Sequence, residues 1–226
     1  GGLGTVVQLE INMNFESLAS ALPKWTSLTK LNLSWALNTP SFPRQLACLS
    51  QILALRLTTF EFKAEVLQDL DESFAQLTQL TSLNLDQTRF STASDPVFVF
   101  RHCSQLRELH LPAVMVHSEH ADLLKSALWP LTKLQTLQVG WFSPQGAAWE
   151  VFCTHLQRCP DLQSLDWSQS GYFDISRRYP ELALVTKVRL MEVTDYLPLA
   201  TLTRLNLAYA TVDLEEWTQF CHQILP

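Results

Sequence analysis

The sequence predicts an α/β solenoid: a curved stack of short repeats, with parallel strands on its concave face and helices and loops on its convex face. Two observations lead to this fold class. An apolar-x-x-apolar-x-apolar signature returns nine times, with successive copies starting 17 to 28 residues apart. Several stretches between the signatures place apolar residues at helical spacing. Because each repeat buries its apolar side chains only against its neighbours, we expect a single domain over residues 1–226.

Each signature predicts one short strand. Its first, fourth and sixth positions carry the apolar side chains, which point inwards, and the residues between them alternate to the opposite face. The repeats begin at Val6, Leu28, Ile52, Leu80, Leu106, Leu134, Leu162, Val185 and Leu202. The third, fifth, seventh and eighth positions of each repeat are therefore expected to point outwards.

The longer repeats contain enough residues for a helix on the convex side. Apolar residues at i, i+3, i+4 and i+7 occur in the sixth repeat (Trp149, Phe152, Cys153, Leu156) and in the ninth (Trp217, Phe220, Cys221, Ile224). Asp213 and Glu216 form a capping box at the start of the last helix. Ser91 and Ser118 are expected to open the helical segments of the fourth and fifth repeats.

Strand–helix repeats of this length resemble the ribonuclease-inhibitor-like variety of leucine-rich repeats, over the whole chain. The resemblance implies a horseshoe and a binding role, but no particular partner, because this architecture serves many unrelated functions. The chain departs from the family at the ninth repeat position, where an Asn or Cys usually bonds the turn. That position holds Asn14, then Ala36, Phe60, Thr88, Val114, Phe142, Ser170, Val193 and Ala210. We therefore expect apolar packing or water to stabilise the turns.

Composition and charge argue against several classes of function. The net charge of -6 and the isoelectric point near 5.5 provide no general attraction to nucleic acid or anionic lipid. No apolar run is long enough to span a membrane. The five cysteines form no CxxC pair, which favours a reducing, cytoplasmic environment. We expect no cofactor, no nucleic-acid partner and no membrane insertion.

Both ends of the chain lie close to repeat strands rather than to polar caps. The first repeat begins at Val6, and the chain stops at Pro226, where a further strand is due. Since the terminal repeats of a solenoid need polar outer faces, we expect this chain to be part of a longer protein.

The outward strand positions are the candidate binding surface. Their charged members are Glu10, Lys30, Arg56, Asp86, Glu108, Asp166, Lys187, Arg189, Glu192 and Arg204, which predicts a face that is acidic in its middle and basic towards its ends. Trp35, Trp141 and Tyr209 at the eighth position are candidate anchors, because large rigid aromatics are enriched at interface hot spots. Arg56, His110, Asp166, Arg189 and Arg204 would orient the partner. Alternatively, the aromatics cover neighbouring turns and the polar residues are ordinary solvated surface.

No sequence motif indicates catalysis or a metal site. His117, Ser118, Glu119, His120 and Asp122 offer ligand atoms at close spacing, but a metal site needs three or four convergent ligands, and a polar helix start on the convex side is the favoured interpretation. Cys153, His155 and Cys159 are similarly spaced, and an amphipathic helix is expected to turn the cysteines inwards and His155 away. Asp69, Asp71 and Glu72 are typical of solvated helix charges. We therefore predict neither an enzyme nor a metal protein.

The leading hypothesis is a module that binds another protein through its concave strand face and aromatic edge. Two alternatives stay open. The chain could be the substrate-recognition domain of a ubiquitin ligase or of a pathogen effector delivered into a host cell, or the repeat domain of an innate-immune-type sensor. Both alternatives require further domains in the full-length protein.

Overall fold

The structure is a computed structural model, and it describes residues 7–11, 24–34, 42–86, 88–91, 99–111, 115–139, 143–144, 146–166 and 201–206. Within these ranges the main element is a parallel sheet of eight strands, in the order β1, β2, β3, β5, β7, β9, β11, β12. They are β1 (Gln8–Ile11), β2 (Lys30–Ser34), β3 (Ala54–Thr58), β5 (Ser82–Asn84), β7 (Glu108–His110), β9 (Thr136–Gln138), β11 (Ser164–Asp166) and β12 (Arg204–Asn206). Each strand lies on one of the leucine signatures, which confirms a parallel repeat architecture.

The strands pair in register, leucine on leucine. Leu83 of β5 pairs with Leu55 on one side and with Leu109 on the other, and Leu109 pairs in turn with Leu137. These four side chains are at most 2% exposed. A slip of one residue would turn each of them to the opposite face, and burying a leucine stabilises a fold by about 1.5–3 kcal/mol relative to leaving it exposed. The inward positions of the signature are therefore confirmed here.

Helices complete the buried core. They are α1 (Phe42–Leu46), α2 (Ala64–Phe74), α3 (Ala121–Leu128) and α4 (Ala147–Gln157), together with single 3-10 turns at Val99–His102 and Ser118–His120. The helical residues Leu70, Phe74, Leu124 and Phe152 join the strand leucines in one apolar cluster. α1 packs on α2, and α3 packs on α4. Each helix therefore contacts a neighbouring helix as well as the core.

Two further short parallel pairs are formed by segments that follow main strands in the sequence. β4 (Glu61–Lys63) pairs with β6 (Arg89–Ser91), and β8 (Met115–Val116) pairs with β10 (Ser143–Pro144). Ser91 thus ends a strand, and the residues that follow it, 92–98, lie outside the described part. Ser118 opens the 3-10 turn that leads into α3, as expected.

The turn that follows β3 shows what replaces the usual asparagine. Phe60, at the ninth repeat position, is buried and lies 5.5 Å from Phe42 and 5.3 Å from Phe62 between ring centroids. This agrees with the expected apolar packing. At the same position of the next repeat, the buried Thr88 hydroxyl instead donates a hydrogen bond to the carbonyl oxygen of Leu57. Threonine therefore bonds the backbone of the preceding repeat there.

The last described strand, β12, pairs directly with β11. The carbonyl oxygen of Gln163 accepts hydrogen bonds from the backbone N–H groups of Thr203 and Arg204, at 2.8 and 2.9 Å. Leu165 consequently pairs with Leu205. The strand predicted from Val185 falls within residues 167–200, which lie outside the described part.

Two further observations bear on the sequence predictions. Among the described residues, no helix has both the length and the apolar character needed to cross a membrane. No disulfide joins the four cysteines that the structure describes: Cys103, Cys153 and Cys159 are buried, and Cys48 is exposed.

Candidate functional site

The side of the main sheet that carries polar residues is a continuous surface of two rows. We call these two rows together the outward sheet face. The third-position row consists of Gln8, Lys30, Ala54, Ser82, Glu108, Thr136, Ser164 and Arg204. The fifth-position row consists of Glu10, Asn32, Arg56, Asn84, His110, Gln138, Asp166 and Asn206. Every member of the fifth-position row is half-buried or exposed.

The fifth-position row alternates between ionisable side chains and neutral amides. Glu10, Arg56, His110 and Asp166 each have an amide as the next member of the row. Parallel strands lie about 4.8 Å apart, so alternate members of the row are separated by about 10 Å at their backbones. The row therefore presents widely spaced ionisable groups with amides between them.

Hydrogen bonds between adjacent strands orient several of these groups. The Nδ2 atom of Asn32 donates to Oε1 of Glu10 at 3.0 Å, and Nδ2 of Asn84 lies 2.9 Å from Nδ1 of His110. In the third-position row the hydroxyl of Ser82 donates to Oε2 of Glu108 at 2.9 Å. Since each bond joins neighbouring repeats, the side-chain arrangement depends on the register of the sheet.

His110 lies at the centre of the charged part of this face. Burial lowers the pKa of its imidazole, the carboxylates of Asp86, Glu108 and Asp166 oppose that shift, and the Arg56 guanidinium adds to it. Each of these four charged groups is therefore near enough to act electrostatically on the ring. Of the three carboxylates, Glu108 on β7 and Asp166 on β11 belong to this face, and Asp86 follows β5.

The structure places four of the eight candidate binding residues. Arg56, His110 and Asp166 share the fifth-position row, and the exposed Arg204 lies in the third-position row on β12. Arg56 is exposed, and its guanidinium has no hydrogen-bond or ion-pair partner among the described residues. Trp35, Trp141, Arg189 and Tyr209 lie outside the described residues.

One sequence expectation about the helices is wrong. His155 was expected to face away from the core, but its side chain is fully buried on α4 together with Cys153 and Cys159 nearby. α4 is covered by α3 as well as by the strand core. A wider arc of the helix is therefore buried than the single apolar stripe that the spacing predicts.

The buried His155 and Cys159 are both neutral. The Nε2 atom of His155 lies 3.4 Å from Sγ of Cys159. Burial, with Arg158 nearby, lowers the pKa of His155 to about 4, and burial raises the pKa of the Cys159 thiol to about 12. A nucleophilic cysteine requires a lowered pKa, so this pair lacks the electrostatics of a cysteine–histidine catalytic pair.

The other polar groups singled out in the sequence lie on the helical side. His117, Ser118, Glu119 and Asp122 are exposed, whereas His120 is buried. Asp69 forms an ion pair with Arg44 at 3.2 Å, and Asp71 contacts Arg101 and His102. Within the described ranges, no three His, Cys, Asp or Glu side chains come together as a metal site would require.

Asn84 was not among the predicted binding residues, because the signature assigns each outward residue from its own repeat alone. The signal that identifies Asn84 is the alternation of amides and ionisable residues down the fifth-position row. This alternation is visible in the sequence across the fifth positions of successive repeats. In the structure, Asn84 hydrogen-bonds to His110 of the next strand.

Solved structures of leucine-rich-repeat proteins are similar to this chain. A leucine-rich-repeat protein from Leptospira interrogans matches with a TM-score of 0.51 and 16% identity, over 96% of this chain and 53% of that one. An internalin from Listeria monocytogenes matches with a TM-score of 0.45 and 15% identity, over 89% of this chain and 54% of that one. The chain thus spans about half the length of each. No protein-family model and no curated protein sequence matches it.

Proposed function

We propose that this chain, which has the leucine-rich-repeat fold, binds a partner protein through its outward sheet face, as the concave surface of a horseshoe. Solenoids commonly use such extended strand faces for recognition. The observation that carries the proposal is the fifth-position row, where polar side chains from eight adjacent strands form one ordered surface. Within it, the exposed Arg56 makes no hydrogen bond or ion pair among the described residues, so its guanidinium is available to a partner.

The charges on this face favour a partner with a defined orientation. Arg56 on β3 and Asp166 on β11 are separated by four strand spacings, or about 19 Å at the backbone. A matching partner would place an acidic side chain near Arg56 and a basic side chain near Asp166. Charge complementarity of this kind contributes more to orientation and specificity than to affinity. We propose that Arg189 and Arg204 also help to orient the partner.

Trp35, Trp141 and Tyr209 are the proposed aromatic anchors at the edge of the face. Aromatic side chains at the centre of an interface often contribute most of the binding free energy.

We also infer that the repeats are of the ribonuclease-inhibitor-like variety. The 11-residue helices α2 and α4, each following a strand signature by a short connection, support that variety.

The test is affinity capture with a charge-exchanged variant. Arg56→Glu combined with Asp166→Lys keeps the net charge but reverses the polarity of the face, and we expect recovery of the partner to fall at least tenfold. The matched control is Lys125→Glu with Glu150→Lys. This pair makes the same exchange at two exposed positions on α3 and α4, and it should leave recovery unchanged.

Folding is checked for both variants by their thermal unfolding transitions. Equal recovery with the wild-type chain and the Arg56/Asp166 variant, both folded, would contradict the proposed surface. Loss of recovery with the helix-side control alone would place the binding site on the helices instead.

A further inference from the structure

A chain of hydrogen bonds fixes the side chains at the middle of the outward sheet face. The backbone N–H of Asp86 donates to Oδ1 of Asn84 at 2.9 Å. A backbone nitrogen can only donate, so the oxygen of the Asn84 amide must face it. The amide nitrogen Nδ2 consequently faces Nδ1 of His110, at 2.9 Å.

This orientation determines which nitrogen of His110 carries the proton. The Asn84 NH2 group donates and does not accept, so Nδ1 of His110 must accept the hydrogen bond. In a neutral imidazole the other nitrogen then carries the hydrogen. Among the described residues, Nε2 of the half-buried His110 has no hydrogen-bond partner. Its N–H group therefore has no acceptor within the described part of the chain.

We propose that Asn84 is a positioning residue that holds His110 in its Nε2–H form, so that the middle of the outward sheet face offers a partner one fixed N–H donor. The partner that fits this donor places an oxygen acceptor there, either a main-chain carbonyl or a side-chain oxygen. This inference rests on the proposed function, because it names the chemistry of the partner at the same face.

The surroundings of His110 favour the neutral ring that this arrangement needs. Burial lowers the pKa of the imidazole. Arg56 on β3 acts in the same direction, while Asp86 after β5, Glu108 on β7 and Asp166 on β11 oppose it. Protonation at Nδ1 would also bring an N–H group against the Asn84 NH2. Asn84 would then have to turn over and give up its bond from Asp86.

The test is the imidazole nitrogen NMR spectrum of the folded chain, which distinguishes a protonated ring nitrogen from one with a lone pair. At neutral pH we expect His110 in the wild-type chain to be in the Nε2–H form. Asn84→Asp replaces the donor with an acceptor, and should convert His110 to the Nδ1–H form. Gln138→Glu is the matched control: it adds a carboxylate on β9, the other strand next to His110, and should leave the Nε2–H form in place.

A wild-type ring protonated at Nδ1 would overturn the proposal. So would an equal change in both variants, because added charge and not the hydrogen bond would then set the tautomer. These outcomes need no partner, so they are independent of the charge-exchange result.

Partner recovery is the second measurement. Asn84→Asp should reduce recovery of the partner, because Nε2 would then face the partner's oxygen with a lone pair. Unchanged recovery with the tautomer reversed would contradict the oxygen acceptor.

Discussion

At the scale of single residues, burial controls the chemistry of His155. Its side chain is fully buried on α4, and its Nδ1 atom has no hydrogen-bond partner among the described residues. Removal from water penalises the charged imidazolium, which is the main reason that the pKa falls to about 4. The histidine therefore acts as a neutral core residue over most of the pH range.

This burial makes the stability of the fold depend on pH. Below pH 6.5 the unfolded chain takes up a proton at His155, whereas the folded chain does not do so until about pH 4. The free energy of unfolding must therefore fall as the pH falls through this window. Between pH 7.5 and pH 5.0 we expect this residue to account for a loss of about 2 kcal/mol.

Urea unfolding of the wild type and of His155→Leu at these two pH values measures that contribution. The His155→Leu variant should lose about 2 kcal/mol less than the wild type on acidification, whatever its stability at pH 7.5. His117→Gln, at an exposed histidine on the same side of the chain, is the control and should follow the wild type. Identical losses in the wild type and His155→Leu would show that His155 is not buried as described.

The direction in which a side chain points was predictable from the sequence where the two-residue period of a strand determines it. Leu83 and Leu109 point inwards, and Arg56 and His110 point outwards, as the alternation requires. His155 was mispredicted because an apolar stripe indicates which face of α4 meets the sheet core. It carries no information about the additional cover provided by a neighbouring helix.

At the scale of elements, the junction between the fifth and sixth repeats depends on a contact between two helix starts. The Ser118 hydroxyl accepts a hydrogen bond from the backbone N–H of Ala147, the first residue of α4, at 3.3 Å. The sequence indicates that Ser118 opens its own helical segment. It does not indicate this second role, because the bond crosses from one repeat to the next.

Gly146, immediately before α4, is required by the same junction. Its φ of 52° lies in the left-handed region, and a Cβ atom there would lie 2.0 Å from the Ser118 Oγ. We expect Gly146→Ala to destabilise the fold by about 1–3 kcal/mol from the backbone conformation, whose ψ is -126°, with a further loss from the clash. Urea unfolding measures the total.

The double variant Gly146→Ala, Ser118→Ala separates the two causes. Because Ser118→Ala also removes the hydrogen bond to Ala147, the reference is the Ser118→Ala single variant. Relative to it, the double variant should show only the part of the loss that comes from the backbone conformation of residue 146. A Gly146→Ala chain as stable as the wild type would show that the turn does not have this geometry.

At the scale of the whole molecule, hydrogen bonding between repeats decides the order of the sheet. Signatures from Val6 to Leu162 each coincide with a strand, because regularly spaced leucines can be buried only by stacking on the neighbouring repeats. The Gln163 carbonyl bonds Thr203 and Arg204, so the strand that pairs with β11 on this side is the one at the Leu202 signature. Apolar spacing does not determine which strands pair.

The candidate face also emerges only at this scale. Arg56, His110 and Asp166 were each predicted to point outwards, but that prediction does not include the contacts between them. Alignment of the strands places Asn84 between Arg56 and His110, and it brings the Asn84 amide within hydrogen-bonding distance of His110. The individual outward positions were thus predictable, whereas their arrangement required the register of the sheet.

The most direct test of the central claim is hydroxyl-radical footprinting of the chain alone and of the chain bound to its captured partner. His110 on the outward sheet face and the exposed His117 on the helical side are matched probes, because they share the same intrinsic reactivity. Binding should slow oxidation of His110 severalfold and leave oxidation of His117 unchanged. Protection of His117 with unchanged oxidation of His110 would contradict binding at the outward sheet face.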